Sequence, residues 1–167
     1  MEFNMVPATR LAQLSDIHSL VDIDIKGYDY PWPLEKWRSI VDDPTCIVTL
    51  AAIKIEPVGV CVWQKKPAIK EAEILRLTIK PAYRKRGVGS FLLRVIESEV
   101  RENGLQEMVV IVPELKCFPG HPDDVSQWLL DRGYRAVKPI LTNHFCMYGS
   151  KCDGFKFASS VTGVKDA

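Results

Sequence analysis

Leu11, Leu14, Ile17, His18, Val21 and Ile25 recur at three- and four-residue intervals, the spacing of an amphipathic helix with one buried face. A short strand over 3–8 is expected before it, with Thr9 or Ser15 to cap the turn. Gly27-Tyr28-Asp29-Tyr30-Pro31-Trp32-Pro33 breaks the stripe, and Pro33 suits the first position of a second short helix through Glu35, Trp37 and Ile40. Asp42-Asp43-Pro44 ends that helix. Three runs rich in β-branched residues follow, 46–53, 58–64 and 73–79, and their short connections predict an antiparallel meander. Val88, Phe91, Leu92, Val95, Ile96 and Val100 give the next helix its apolar face, closed by Asn103-Gly104. Residues 108–112 are apolar without interruption, a strand buried on both faces, and the strand–helix–strand order predicts a parallel crossover. An irregular stretch over 114–122 leads to a helix near 123–132 stopped by Gly133, then to strands near 134–137 and 144–148. The pattern predicts an α/β (α+β) fold in which helices flank a mixed, mostly antiparallel sheet. It forms one domain over 1–152, followed by a polar, frayed tail over 153–167.

At 167 residues, 47% hydrophobic and 26% charged, the chain suffices for one domain with a substantial core. Its longest apolar run is far shorter than a membrane span, and residues 1–4 lack the basic start and apolar body of a signal peptide. A cytoplasmic location without a membrane partner is therefore expected. The five cysteines are odd in number and contain no C-x-x-C pair, which predicts reduced thiols. Cys117, His121, His144, Cys146 and Cys152 have the spacing of no common zinc module, so no metal is expected.

The chemistry concentrates where the strand over 73–79 turns into the helix after Gly87. Arg84, Lys85 and Arg86 precede two glycines that let a ligand approach the backbone, and the first N–H groups of the helix are free to meet an anion. Residues 76–101 carry seven cations against two anions, although the whole chain is only +1. Such local basicity suits one polyanionic ligand rather than a nucleic-acid surface, which would need interleaved aromatics. G-x-x-x-x-G-K-[ST] and G-x-G-x-x-G are both absent here, which argues against a nucleoside-triphosphate loop and a dinucleotide fingerprint.

Arg84-x-x-Gly87-x-Gly89, with its strand, Pro81 and helix, resembles the pyrophosphate motif Q/R-x-x-G-x-G/A of the GCN5-related N-acetyltransferases, the GNAT superfamily. The element order over 3–150 resembles that fold as well. The resemblance implies acetyl-CoA as acyl donor, in a gap where the strand before the basic turn splays from its parallel neighbour. Leu77, Thr78 and Ile79 would meet the pantetheine arm, and Arg84, Lys85, Arg86, Gly87, Val88, Gly89 and Ser90 the pyrophosphate. Glu73 stands eleven residues before Arg84, where the histone acetyltransferase branch carries its catalytic glutamate.

Tyr30-Pro31-Trp32 resembles the acceptor loop of the ribosomal-protein alanine N-acetyltransferases, which makes Tyr28, Tyr30 and Trp32 acceptor candidates, with Asp29 as a partner for a cationic amine. The fifth-strand glutamate and the helix tyrosine of those enzymes are missing, for the strand reads Val109-Val110-Ile111-Val112-Pro113 and Leu129 follows Trp128. Glu114 and His121 are further candidate bases, Tyr134 and Tyr148 candidate acids, and Cys117 a candidate acyl carrier. The expected activity is acetyl transfer by direct attack of a primary amine, on a small molecule or a protein, in a monomer or homodimer. The alternative is a non-catalytic acyl-CoA-binding or regulatory domain.

Overall fold

The computed structural model describes residues 6–28, 30–113, 117, 124–147 and 149–161. The elements run β1 (Ala8–Leu11), α1 (Ile17–Gly27), α2 (Leu34–Asp42), β2 (Cys46–Ile53), β3 (Glu56–Lys66), β4 (Glu71–Ile79), α3 (Val88–Glu102), β5 (Glu107–Pro113), α4 (Val125–Asp131), β6 (Arg135–Met147) and β7 (Ser150–Ser160). The seven strands form one sheet in the order β1-β2-β3-β4-β5-β7-β6. All neighbours are antiparallel except β4 and β5.

Helices cover both faces of the sheet's central strands. Leu20 and Ile23 of α1 and Trp37 of α2 pack on Leu50, Val60 and Val62, whereas Leu92 and Ile96 of α3 and Leu129 of α4 pack on Trp63, Ile74 and Met108. With no face left for water, β2 and β3 read as nearly continuous apolar runs. The Glu99 carboxylate of α3 accepts hydrogen bonds from Trp63 Nε1 (3.1 Å) and Thr49 Oγ1 (3.3 Å), fixing the helix over β2 and β3. Among the described residues no helix is long and apolar enough to cross a membrane.

The first helix departs from its expected phase. Leu11 and Leu14 are 61% and 54% exposed and Ile25 is 59% exposed; the buried stripe is Ile17, Leu20, Ile23 and Asp24. A carboxylate occupies a core-facing position and displaces the apolar count around the helix. Residues 8–11 form a strand, and Arg10 holds the Asp16 carboxylate at 2.7 Å. That hydrogen bond and charge keep Asp16 at about 2, and the same carboxylate accepts from the Gln13 N–H. The resulting turn delays the start of α1 to Ile17.

Two further corrections fall at the C-terminal end. The segments expected as strands at 134–137 and 144–148 are parts of one strand, β6, interrupted by irregular register. Asp153, expected to open a frayed tail, lies within β7, which inserts between β5 and β6. Without it the far edge of β5 would expose a row of unpaired backbone groups. Pro33 sits one residue before α2 rather than within it.

Candidate active site

β4 and β5 pair in register only from Glu71–Glu107 to Ile74–Val110. On its other side β4 pairs Ile74 with Trp63 and then Arg76 with Val62, leaving Leu75 as an extra residue. A bulge bends its strand and increases local twist, and this one falls where the parallel pairing stops. Its effect on the side chains is visible: Leu75 packs with the α1–α2 core and the next residue, Arg76, also meets α1, while Ile74 and Leu77 face the α3 side. Between the diverging strands opens a cleft of about 700 Å³. Among the described residues, the strand edges beyond Ile74 and Val110 face each other across it with no backbone partner between them, so an amide-bearing ligand can complete them.

Leu77, Thr78 and Ile79 line one wall, and Arg84, Lys85, Gly87, Gly89 and Ser90 line the mouth. Val88 is buried in the core below, and Arg86 lies over the Tyr83 ring, outside this lining. Lys85 (φ 58°) and Gly87 (φ 82°) are left-handed, a turn that concentrates backbone N–H groups on one side. Helix α3 begins at Val88, so the N–H groups of Val88, Gly89 and Ser90 have no acceptor inside the helix. They are available to an anion at the positive end of the dipole.

The motif arginine has a different task from its neighbours. Arg84 Nε donates to the Ile79 carbonyl at 3.0 Å, and Nη2 donates to the Gly27 carbonyl. Its own N–H donates to the Pro81 carbonyl at 3.2 Å. Arg84 therefore braces the end of β4 against the end of α1. Gly27 permits that approach, because a Cβ there would lie 2.4 Å from Thr78 Cγ2.

A buried ion pair joins the same two elements deeper in. Arg76 Nε and Nη2 donate to the two carboxylate oxygens of Asp24 at 2.8 and 2.9 Å, and Nη2 also donates to the Tyr30 carbonyl at 2.6 Å. The Arg76 guanidinium lies 3.7 Å from the Tyr28 ring centroid and 4.7 Å from that of Trp32. Asp24 in turn accepts from the Trp32 N–H at 2.7 Å. Residues on both sides of the aromatic loop are thus fastened to β4 through one carboxylate. Lys80 is likewise paired with Asp22 and Glu56, so Arg76 and Lys80 leave the basic cluster that the phosphate ligand was expected to meet.

The family model of the acetyltransferase (GNAT) family matches residues 12–116. The chain belongs to this family. Its acyl donor is acetyl-CoA, and it is an N-acetyltransferase. The ribosomal-protein-S18-alanine N-acetyltransferase from Escherichia coli has the same fold, with a TM-score of 0.77, 14% identity, and coverage of 93% of this chain and 94% of that one. Arabidopsis thaliana NAA60 in complex with acetyl-CoA superposes with a TM-score of 0.77 at 16% identity, covering 95% and 100%. Spermidine/spermine N-acetyltransferase SpeG from Vibrio cholerae gives 0.73 at 12% identity, covering 95% of each chain. No curated protein sequence matches this one significantly.

The acetyl-CoA fits what this cleft offers: open strand edges for pantetheine amides, unpartnered N–H groups for a pyrophosphate, and an apolar floor from Leu93, Val110 and Leu129. Of the acceptor candidates, Tyr28 lines the cleft of the acetyltransferase, whereas Trp32 is half-buried between Arg76 and Trp37, 5.0 Å from the latter's ring. Tyr30 contributes its carbonyl to the Arg76 cluster. Glu73 lies on β4 opposite Val109, outside the cleft lining, with its carboxylate in an ion pair with Lys66. Tyr134 is buried in the core, its hydroxyl on Met108 Sδ at 3.8 Å, and burial pushes its pKa upward, away from duty as an acid near neutrality. Cys117 is half-buried against the α3-side core. Asp29, Glu114, His121 and Tyr148 lie outside the described residues.

Sequence reasoning missed several groups here. Asp24 was hidden in the α1 stripe, and Trp128 and Arg132 of the α4 end line the cleft across from Ser90. Asp124 also borders the cleft, but its Oδ1 accepts from the Ser126 N–H at 3.0 Å and so caps α4. A charged residue inside an apolar stripe was the available signal for Asp24.

Proposed function

We propose that this acetyltransferase acts on a primary amine, carried by a small molecule or a protein, through direct attack without a covalent enzyme intermediate. The observation that carries this reading is the bulged, splayed end of β4 beside the glycine turn, where a thioester would be held between two open strand edges. Bound there, acetyl-CoA supplies the acetyl thioester. The N–H groups of Gly87, Val88, Gly89 and Ser90, with Lys85 beside them, hold its pyrophosphate, while the backbone at Leu77, Thr78 and Ile79 orients the pantetheine arm. Arg84 contributes by shaping the turn, and Arg86 adds to the positive field around it.

On the acceptor side, Tyr28 stands at the cleft, and Tyr30 and Trp32 hold the loop through the Asp24–Arg76 pair. Glu73 serves as the base that removes the ammonium proton, directly or through a water, because only a neutral amine can attack. It lies on the strand face turned toward α1 and α2, one residue before the paired segment ends at Ile74. Five free cysteines are in keeping with a reducing, cytoplasmic setting.

Glu73→Gln should lower kcat on the best amine by roughly a hundredfold, the usual scale for a general base, and leave the acetyl-CoA dissociation constant unchanged. Steady-state kinetics with an amine panel and a binding titration check it. Full activity in Glu73→Gln, together with an inactive Glu114→Gln or His121→Ala, would assign the base to the β5–α4 connection instead.

A further inference from the structure

Arg132 follows α4 and lies more than forty residues from the glycine turn, yet its guanidinium is held at the mouth of that turn. Nε donates to Ser90 Oγ at 3.1 Å and Nη2 donates to the same oxygen. Nη1 donates to the Trp128 carbonyl at 2.9 Å, and the guanidinium lies 3.9 Å from the Trp128 ring centroid. Both hydrogen-bond acceptors are neutral, and among the described residues Arg132 joins no ion pair. The neighbouring Asp131 carboxylate accepts from Gln127 Nε2 at 2.8 Å. Burial lowers the Arg132 pKa from its ordinary value, against the opposing pull of the neighbouring Asp131 carboxylate.

The three partners fix where the charge sits. The Trp128 ring and carbonyl restrain the side chain from α4, and the Ser90 hydroxyl draws it toward the first turn of α3, whose N–H groups face the same opening. A guanidinium placed beside unpartnered N–H groups adds a fork of donors suited to phosphate oxygens. Lys85 serves the turn from its other end as a point charge.

We propose that Arg132 is a pyrophosphate-binding residue of the acyl donor site, supplied by α4 to a phosphate turn otherwise built from α3. The proposal rests on the acetyl-CoA reading above. Ser90 singles out the pyrophosphate rather than the ribose 3′-phosphate, since the Ser90 N–H belongs to the helix start that faces the pyrophosphate. Arg132 thereby couples the position of α4 to donor occupancy and favours nucleotide-bearing thioesters over short phosphate-free ones.

Calorimetric titration of the full chain with CoA and with 3′-dephospho-CoA, on wild type, Arg132→Gln and Arg132→Lys, tests this. Kinetics with S-acetylpantetheine as donor completes the set. Arg132→Gln should weaken CoA and 3′-dephospho-CoA by the same factor, about ten- to a hundredfold, the range of a lost charge-assisted hydrogen bond. Kcat/KM for S-acetylpantetheine should not change, and Arg132→Lys should recover part of the affinity. Loss confined to CoA would move Arg132 to the 3′-phosphate and overturn the assignment. Equal loss with all three probes would make Arg132 a support of α4 only, and unchanged affinities in a wild type that binds CoA would remove it from the site. If wild type bound neither nucleotide, the donor-site reading would fall and this proposal with it.

Discussion

Asp24→Ala should destabilise the protein by about 3–5 kcal/mol, the cost of leaving one partner of a buried ion pair uncompensated. At roughly 2–4 °C per kcal/mol for a chain of this size, the melting temperature should fall by about 6–20 °C. Both side chains are almost completely buried, Asp24 at 0% and Arg76 at 8% exposure, so neither water nor salt can replace the lost partner. The stranded group would be a guanidinium pressed between the Tyr28 and Trp32 rings, with the Tyr30 carbonyl, among the described residues, left to accept from it. The loop should loosen as well, since the Trp32 N–H loses its acceptor. Replacing both members, Asp24→Leu with Arg76→Met, should recover much of the loss, because the unpaired charge is then gone. Thermal melts of wild type and the two variants measure this, and a fall of less than 1 kcal/mol in Asp24→Ala would show that the pair contributes little.

Gly87→Glu should abolish the rise in melting temperature that acetyl-CoA gives the wild type, a rise equivalent to about 2.7 kcal/mol at a hundred times the dissociation constant. Space is available, since a Cβ on Gly87 would meet nothing within 4 Å. The intrinsic penalty comes from φ 82°, about 1–2 kcal/mol for an L-residue in the left-handed region. Gly87→Ala carries that same strain without the charge and separates the two effects. The carboxylate stands where the turn offers N–H groups to an anion, so it competes with the pyrophosphate and repels it. Differential scanning fluorimetry with and without acetyl-CoA distinguishes the outcomes: a ligand-induced shift retained in Gly87→Glu would place the donor elsewhere.

The parts legible in the sequence were those governed by local chemistry. The strand expected at 46–53 has the bounds Cys46–Ile53, and Asn103-Gly104 does end α3, because strand runs and left-handed helix stops leave their mark within a few residues. The glycine turn was legible for the same reason: anion binding needs free N–H groups and small residues at a fixed spacing. β7 was not, since a strand that carries Lys151, Asp153, Lys156 and Ser159 without a regular apolar alternation looks like a polar tail until β5 is seen to need a partner. Arg76 read as one of a run of cations, and only the tertiary contact with Asp24, 52 residues away, shows that its charge is spent inside the protein. Arg84 matched its motif, but its role as a brace to Gly27 depends on how α1 docks against β4. Arg132 carries no local pattern at all, as its meaning comes from the proximity of Ser90 across the cleft.

Hydrogen exchange followed by mass spectrometry, with and without saturating acetyl-CoA, reports directly whether the donor lies in the splayed β4–β5 gap. Amides in 75–79, at the start of α3 in 88–90, and at 111–112 should exchange more slowly in the complex, while those of β1 and β2, on the far side of the sheet, should be unaffected. Slowed exchange confined to other segments, or none at saturation, would contradict binding in the gap.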